Sequence, residues 1–252
     1  MAGHSKWANI KHKKARTDEK RGKAFTKLGK ELIIAAREGG GDPEGNPRLK
    51  MLIQKAKALN MPNENIQRAI QRGTGEVEGE ALEEINYEGY GPGGVALMLS
   101  IATDNRNRTA ADIRHLFSKY GGNLGETGCV SWMFKRRGLL EISKEDLEMD
   151  IEELELLAIE AGAEDIREND DGVEIITGVE TFESVKSCME KEGKFRWTFS
   201  DITMVPENTV DIVDLETAQK LLKLVDVLEE HDDVQDVYSN FSIPDEIMER
   251  LQ

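Results

Sequence analysis

The sequence predicts an α+β protein of three domains: an N-terminal helical bundle and two ferredoxin-like α+β domains, one inserted in the other. Three observations predict it. At roughly 150 residues per domain, 252 residues make two domains, or three small ones. Charge reverses along the chain: residues 1–72 hold 17 Lys+Arg against 7 Asp+Glu, net +10, whereas residues 73–252 hold 16 against 42, net −26. Beyond Gly138 the strand and helix signals run in the order βαββαβ, the ferredoxin-like unit.

With 38% hydrophobic and 33% charged residues the composition is that of a soluble globular chain, and disorder throughout is excluded. The apolar runs Leu32 to Ala36 and Val95 to Leu99 fall far short of the roughly 20 residues a membrane span needs, so no membrane partner is expected. The first twenty residues are basic and lack a signal-like apolar stretch, which points to the cytoplasm. Cys129 and Cys188 stand far apart outside any Cys/His pattern, so no disulfide, metal or other cofactor is signalled.

The bundle is expected over residues 1–75. From Arg16 to Arg37, Phe25, Leu28, Leu32, Ala35 and Ala36 recur at helical spacing and mark a core face. Lys20, Lys23, Lys27 and Lys30 project together from the other side, and Arg16 and Lys13 extend the row into a cationic stripe about 25 Å long. Lysines at successive turns suit a phosphate backbone, where each neutralised phosphate releases counterions. Glutamate at Lys20, Lys23, Lys27 and Lys30 is therefore expected to abolish nucleic-acid binding with the fold intact. Gly39 to Gly41 end this helix, and Asn46 with Pro47 reads as the N-cap and first turn of a second helix, whose apolar face is Leu49, Leu52, Ile53, Ala56 and Leu59. Pro62 restarts the chain as a third, with Ile66, Ala69 and Ile70 inward and Arg68 and Arg72 outward. Ahead of the bundle, Lys6, Lys11, Lys13, Lys14 and Arg16 surround Trp7. An exposed tryptophan among lysines stacks on an unpaired base, worth about 1–3 kcal/mol, or else docks against the bundle.

Residues 73–81 read as a linker. A discontinuous middle domain is expected over 82–134 and 206–240, with strands at 85–90 and 94–103, a helix at 110–120, a strand near 129–134, and a closing helix at 215–229 and strand at 234–238. The inserted domain spans 135–205, with strands at 139–142, 165–168, 173–177 and 195–205 and helices at 145–161 and 181–191.

Catalytic signals are sparse. The four histidines are scattered, no nucleophile motif appears, and Gly89 to Gly94 lacks the Gly-Lys-Ser/Thr ending of a phosphate-binding loop. Thr103 to Thr109 is the more suggestive stretch. Thr109 is a candidate helix cap, and Arg106 and Arg108 either hold a phosphate beside the exposed amides or pair with nearby acidic residues. His115 and Cys129 read as half-buried structural residues. The acidic run 145–155 reads as a solvated face.

Several of these stretches together resemble one family: His4-Ser5-Lys6-Trp7 with Asn9-Ile10-Lys11-His12, Gly40-Gly41-Asp42-Pro43, Asn60-Met61-Pro62, Tyr87-Glu88-Gly89-Tyr90-Gly91-Pro92, and Thr103 to Thr109. They look like the YebC family, with small departures at Cys129 and Gln71. The resemblance runs through the first half of the chain and is carried by layout beyond it. It implies a helical N-terminal domain followed by two α+β domains. It also implies a non-enzymatic regulator of gene expression, either a DNA-binding transcriptional regulator or a ribosome-associated translation factor that binds ribosomal or transfer RNA and relieves stalling. The basic helix suits both, because phosphate contacts carry little sequence information. A small-molecule sensor is a third reading, since paired ferredoxin-like domains bind ligands at their interfaces.

Overall fold

The computed structural model describes residues 18–79, 81–169, 172–192 and 194–251. Among them the chain forms two compact units, residues 132–209 and residues 18–131 with 210–251.

The larger unit begins with three helices, α1 (Asp18–Gly39), α2 (Pro47–Ala58) and α3 (Asn63–Thr74). Leu28, Leu32, Ala35 and Ala36 of α1 are buried with Leu49, Leu52 and Ala56 of α2 and Ile66, Ala69 and Ile70 of α3, so the apolar spacings become the core. Leu59 is the exception, lying exposed just past the end of α2. The close approach of α1 and α3 requires Gly73: a Cβ there would lie 2.4 Å from the Ile33 carbonyl oxygen. At the α2–α3 junction Asn60 takes a left-handed φ of 59°, which asparagine tolerates better than most side chains.

Asn46 is the polar keystone of the bundle. It is buried, its Oδ1 accepts from the Leu49 amide at 3.1 Å as the N-cap of α2, and its Nδ2 donates to Ala35 O at 2.8 Å and Gly40 O at 2.9 Å. One amide thus starts a helix and ends another. Asn46→Ala is expected to lower stability by about 2–3 kcal/mol, combining a lost cap with two stranded carbonyls, and Asn46→Asp to recover only the cap. Thermal denaturation of the two variants measures both effects.

A four-stranded antiparallel sheet follows, built from β1 (Glu83–Tyr90), β2 (Ala96–Thr103), β3 (Asn123–Leu124) and β9 (Val234–Ser239) in the order β3–β1–β2–β9. The helices α4 (Arg106–Lys119) and α7 (Leu215–Glu229) cover it: Leu97, Leu99 and Ile101 meet Ile113 and Phe117 of α4 and Leu221, Val225 and Leu228 of α7. On the opposite pleat, Ala102 joins Leu82 in the helical bundle's core. Arg37 donates to Leu82 O, and Arg48 pairs with Glu84 and with Glu38 at 2.8 Å. These contacts join bundle and sheet in one unit. Two short parallel strands, β8 (Val210–Asp211) and β10 (Phe241–Ser242), and the helix α8 (Asp245–Leu251) complete it.

The smaller unit holds β4 (Phe134–Ser143), α5 (Ile151–Ala161), β5 (Asp165–Glu168), β6 (Gly172–Thr177), α6 (Phe182–Glu192) and β7 (Phe199–Pro206). Its sheet order, β5–β6–β4–β7 with every pair antiparallel, is ferredoxin-like. Leu140, Ile142 and Ile175 pack against Leu154 and Ala158 of α5 and Val185 and Met189 of α6. The protein is therefore α+β. Its first sheet carries two helices as well, but its central strands form the β1–β2 hairpin rather than the split pairing of the second.

Three local expectations are corrected. No strand forms at 129–133: residues 131–133 make a 3-10 turn and β4 starts at Phe134. The amides of Gly128, Val130 and Ser131 are taken by the Glu88 carboxylate, each at 2.8 Å, and so are lost to any strand ladder. The helix expected from 145 begins at Ile151, because Ser143 caps a separate 3-10 turn (Lys144–Asp146) and Leu147 bridges to Phe195. That bridge leaves Phe195 outside β7, which starts at Phe199. Past residue 240 the chain continues through β10 and α8.

Candidate nucleic-acid interface

Of the residues expected to contact nucleic acid, Lys6, Trp7, Lys11, Lys13, Lys14 and Arg16 lie outside the described residues, as does the side chain of Lys20. Lys23 is half-buried on α1, and Arg68 and Arg72 are exposed on α3. Lys23, Lys27 and Lys30 do share one side of α1, yet Lys27 and Lys30 have internal partners. Lys27 Nζ donates to Glu229 O at 2.7 Å, at the carbonyl end of α7, where the helix dipole favours a cation. Lys30 Nζ donates to Ala102 O at 3.2 Å, to Asp232 O at 3.0 Å and to Asp233 Oδ1 at 2.6 Å, which uses all three of its protons. Only 18% of the Lys30 side chain is exposed. The expectation that four lysines form one solvent-facing stripe, replaceable without structural cost, is therefore corrected at Lys27 and Lys30.

Asp233 is the centre of this cluster, with 7% of its side chain exposed. Besides Lys30 it accepts from Thr109 Oγ1 at 2.7 Å and from Arg108 at 3.1 Å, with Thr103 Oγ1 at 3.3 Å. Burial pushes the Asp233 carboxyl up, but the hydrogen bonds from Lys30, Thr109 and Arg108 outweigh it and hold the group far below the usual carboxylate range. The opposing strand helps set its position: Ala102 N donates to Asp233 O at 2.8 Å, just past the β2–β9 register shift between Ser100 and Ile101.

The Thr103–Thr109 stretch resolves accordingly. Asn105, not Thr109, caps α4, its side chain accepting from the Arg108 amide at 3.1 Å, so the helix starts at Arg106. Thr109 is fully buried on Asp233. Arg108 pairs with Asp104 at 2.7 Å as well as with Asp233, the acidic pairing that had stood as the alternative to a phosphate. Arg106 remains exposed, and its carbonyl accepts from Tyr87 Oη at 3.1 Å. Burial pushes the Tyr87 hydroxyl up in pKa, against the pull of Arg106 and Arg114. His115 is exposed rather than half-buried. Cys129 is half-buried with its thiol pushed up by burial and by the nearby Glu88 charge, the opposite of what activates a nucleophile. Sequence reading missed Asp233 and Glu88. Asp233 lies 203 residues from Lys30, and periodicity carries no signal at that range.

Comparison with known proteins agrees with this architecture. Residues 5–76 match the family model described as TACO1/YebC protein N-terminal domain, and residues 82–241 match that for the TACO1/YebC second and third domain. The chain belongs to the TACO1/YebC family. It is 64% identical over 252 residues to a "Probable transcriptional regulatory protein" of Syntrophomonas wolfei subsp. wolfei, covering 100% of both chains. It is 62% identical over 251 residues to a protein of the same name from Halothermothrix orenii, covering 100% of this chain and 99% of that one. A crystal structure of a conserved hypothetical protein from Aquifex aeolicus matches with a TM-score of 0.80 and 53% identity, over 95% of this chain and 97% of the other. In this YebC-family chain, several stretches that carried the resemblance serve internal roles: Asn60 takes the left-handed turn between α2 and α3, Glu88 clamps the 128–131 loop, and Thr103, Arg108 and Thr109 gather around Asp233.

Proposed function

We propose that this chain is a non-enzymatic regulator of gene expression that binds nucleic acid, acting on duplex DNA as a transcriptional regulator in the cytoplasm. The observation that carries the reading is the reversal of charge, from +10 over residues 1–72 to −26 over the rest. A basic segment on an otherwise acidic chain concentrates polyanion contact in one place, while the acidic remainder discourages nonspecific coating. The names of the relatives from Syntrophomonas wolfei and Halothermothrix orenii support the same reading. No helix among the described residues is long and apolar enough to cross a membrane. We assign the phosphate contacts to the basic residues before α1, to Lys20 and Lys23, to Arg68 and Arg72, and at α4 to Arg106 alone. The three-domain division at 1–75, 82–134 with 206–240, and 135–205 is part of this proposal.

A salt titration tests it. For a duplex, the log–log slope of affinity against salt is expected near −4 or steeper if about five phosphates are neutralised. The variant Lys23→Gln/Arg68→Gln/Arg72→Gln avoids the internal contacts of Lys27 and Lys30, and it is expected to flatten that slope by about 2 to 3 with the thermal midpoint unchanged. A salt-independent affinity contradicts the reading. Tight, salt-dependent binding to ribosomal or transfer RNA with weak duplex binding turns it toward translation.

A further inference from the structure

We propose that the turn joining α7 to β9 is a latch on the cationic side of α1, holding Lys27 and Lys30 until a nucleic-acid backbone takes them over. The inference rests on the nucleic-acid reading above and adds a coupled conformational step to it.

Position comes first. Lys23, Lys27 and Lys30 follow at intervals of four and three residues, so at about 100° per residue they fall within about 60° of one another around the helix. A phosphate chain laid along Lys23 would meet the other two at the next turns. The α7–β9 turn occupies that path: Glu229 O on Lys27 at 2.7 Å, Asp232 O and Asp233 Oδ1 on Lys30 at 3.0 and 2.6 Å. Every one of these acceptors is an oxygen bearing full or partial negative charge, and a phosphodiester oxygen replaces each in kind.

Release of Lys30 leaves a carboxylate behind. Removing one member of a buried ion pair normally strands the other charge. Here Lys30 leaves Oδ1 of the Asp233 carboxylate while Oδ2 keeps three donors, namely Arg108 at 3.1 Å, Thr109 at 2.7 Å and Thr103 at 3.3 Å. Arg108 is a permanent cation with 49% of its side chain exposed, which lets it settle further onto Asp233. Asp232 lies on the exposed side of the turn, where water takes up its carbonyl. The arrangement is thus a double-throw contact, in which the acid has a standing second cation and the lysine has a competing anion. Because only 18% of the Lys30 side chain is exposed, phosphate reaches it only when the turn moves, so binding and opening are linked.

The test uses the full chain and a mixed-sequence DNA duplex of about 30 base pairs, long enough to span the basic segment. Asp233→Asn removes the anion that competes for Lys30 and keeps the shape of the side chain. It is expected to bind roughly fivefold or more tightly than the wild type at moderate salt. Its salt slope is expected to steepen by about 1 to 2, as one or two further phosphates are neutralised. Equal affinity and slope in variant and wild type overturn the latch and leave the nucleic-acid reading standing. Failure of the wild type to bind the duplex overturns both. Should Asp233→Asn not fold, hydrogen exchange on the wild type decides: saturation with duplex is expected to speed exchange at the end of α7 and at Val234, whose amide donates to His231 O at 3.1 Å. Unchanged or slower exchange there, with the duplex bound, overturns the proposal.

Discussion

Replacing Asp233 by alanine is expected to destabilise the unit formed by residues 18–131 and 210–251 by about 3–5 kcal/mol, the cost of leaving buried cationic and hydroxyl partners uncompensated. Lys30 would keep two carbonyls but lose its countercharge, Thr109 would fall back on the Asn105 carbonyl at 3.1 Å, and Arg108 would fall back on Asp104. Asp233→Asn keeps an acceptor and is expected to cost less. The difference between wild type and Asp233→Asn depends on pH with a defined sign. The Asp233 carboxyl is held below its ordinary value in the folded chain, so its contribution is fully present above the unfolded value of about 4 and is lost as pH falls below it. Urea titrations of both proteins between neutral pH and about pH 2.5 are expected to converge toward the acid end. A gap that widens on acidification, or an alanine variant within about 1 kcal/mol of wild type, contradicts the role given to Asp233.

Glu88→Ala is the second large effect. This buried carboxylate on β1 accepts from three backbone amides, those of Gly128, Val130 and Ser131, each at 2.8 Å. Burial raises its pKa, but those donors outweigh the burial and leave it below the ordinary glutamate value. Truncation strands the buried Val130 amide and releases the loop, an expected loss of about 2–4 kcal/mol. Glu88→Gln is expected to lose less, because its one carbonyl oxygen still accepts while its NH2 faces donors. Hydrogen exchange locates the effect: the amides of 128–131 should exchange faster in the alanine variant, with β2 unchanged. Uniform exchange across the sheet would mean that Glu88 acts only by filling space. As with Asp233, the stabilisation is expected to fade as pH falls below about 4.

What could be read from the sequence was local. The core faces of α1, α2 and α3 were legible because Leu28, Leu32, Leu49 and Ile66 obey helical spacing, and Asn46-Pro47 announced a helix start through chemistry that works within four residues. The βαββαβ order beyond Gly138 was legible because each element carries its own period, and its strand pairing follows from the topology. The contacts that decide the site were not local. The spacing of Lys20, Lys23, Lys27 and Lys30 shows which way they face, but not that Glu229, Asp232 and Asp233, more than 200 residues on, arrive at the same place. Thr109 looked like a cap because caps are local, whereas its partner Asp233 is 124 residues away. The stretch 129–133 has strand-like composition and fails as a strand only because Glu88, some 40 residues earlier, takes its amides. In each case a polar side chain satisfied a distant backbone or charge, an interaction without a sequence period.

Where this protein meets nucleic acid is decided by ultraviolet crosslinking in living cells, followed by mapping of the crosslinked peptides and sequencing of the DNA and RNA recovered. The account predicts crosslinks within residues 1–30 and around Arg68 and Arg72, with enrichment of a few promoter regions. Recovery of ribosomal or transfer RNA on the same peptides would keep the interface and assign it to translation. Crosslinks confined to the acidic unit at residues 132–209, or none above background, would contradict the claim that the basic segment is where this protein meets nucleic acid.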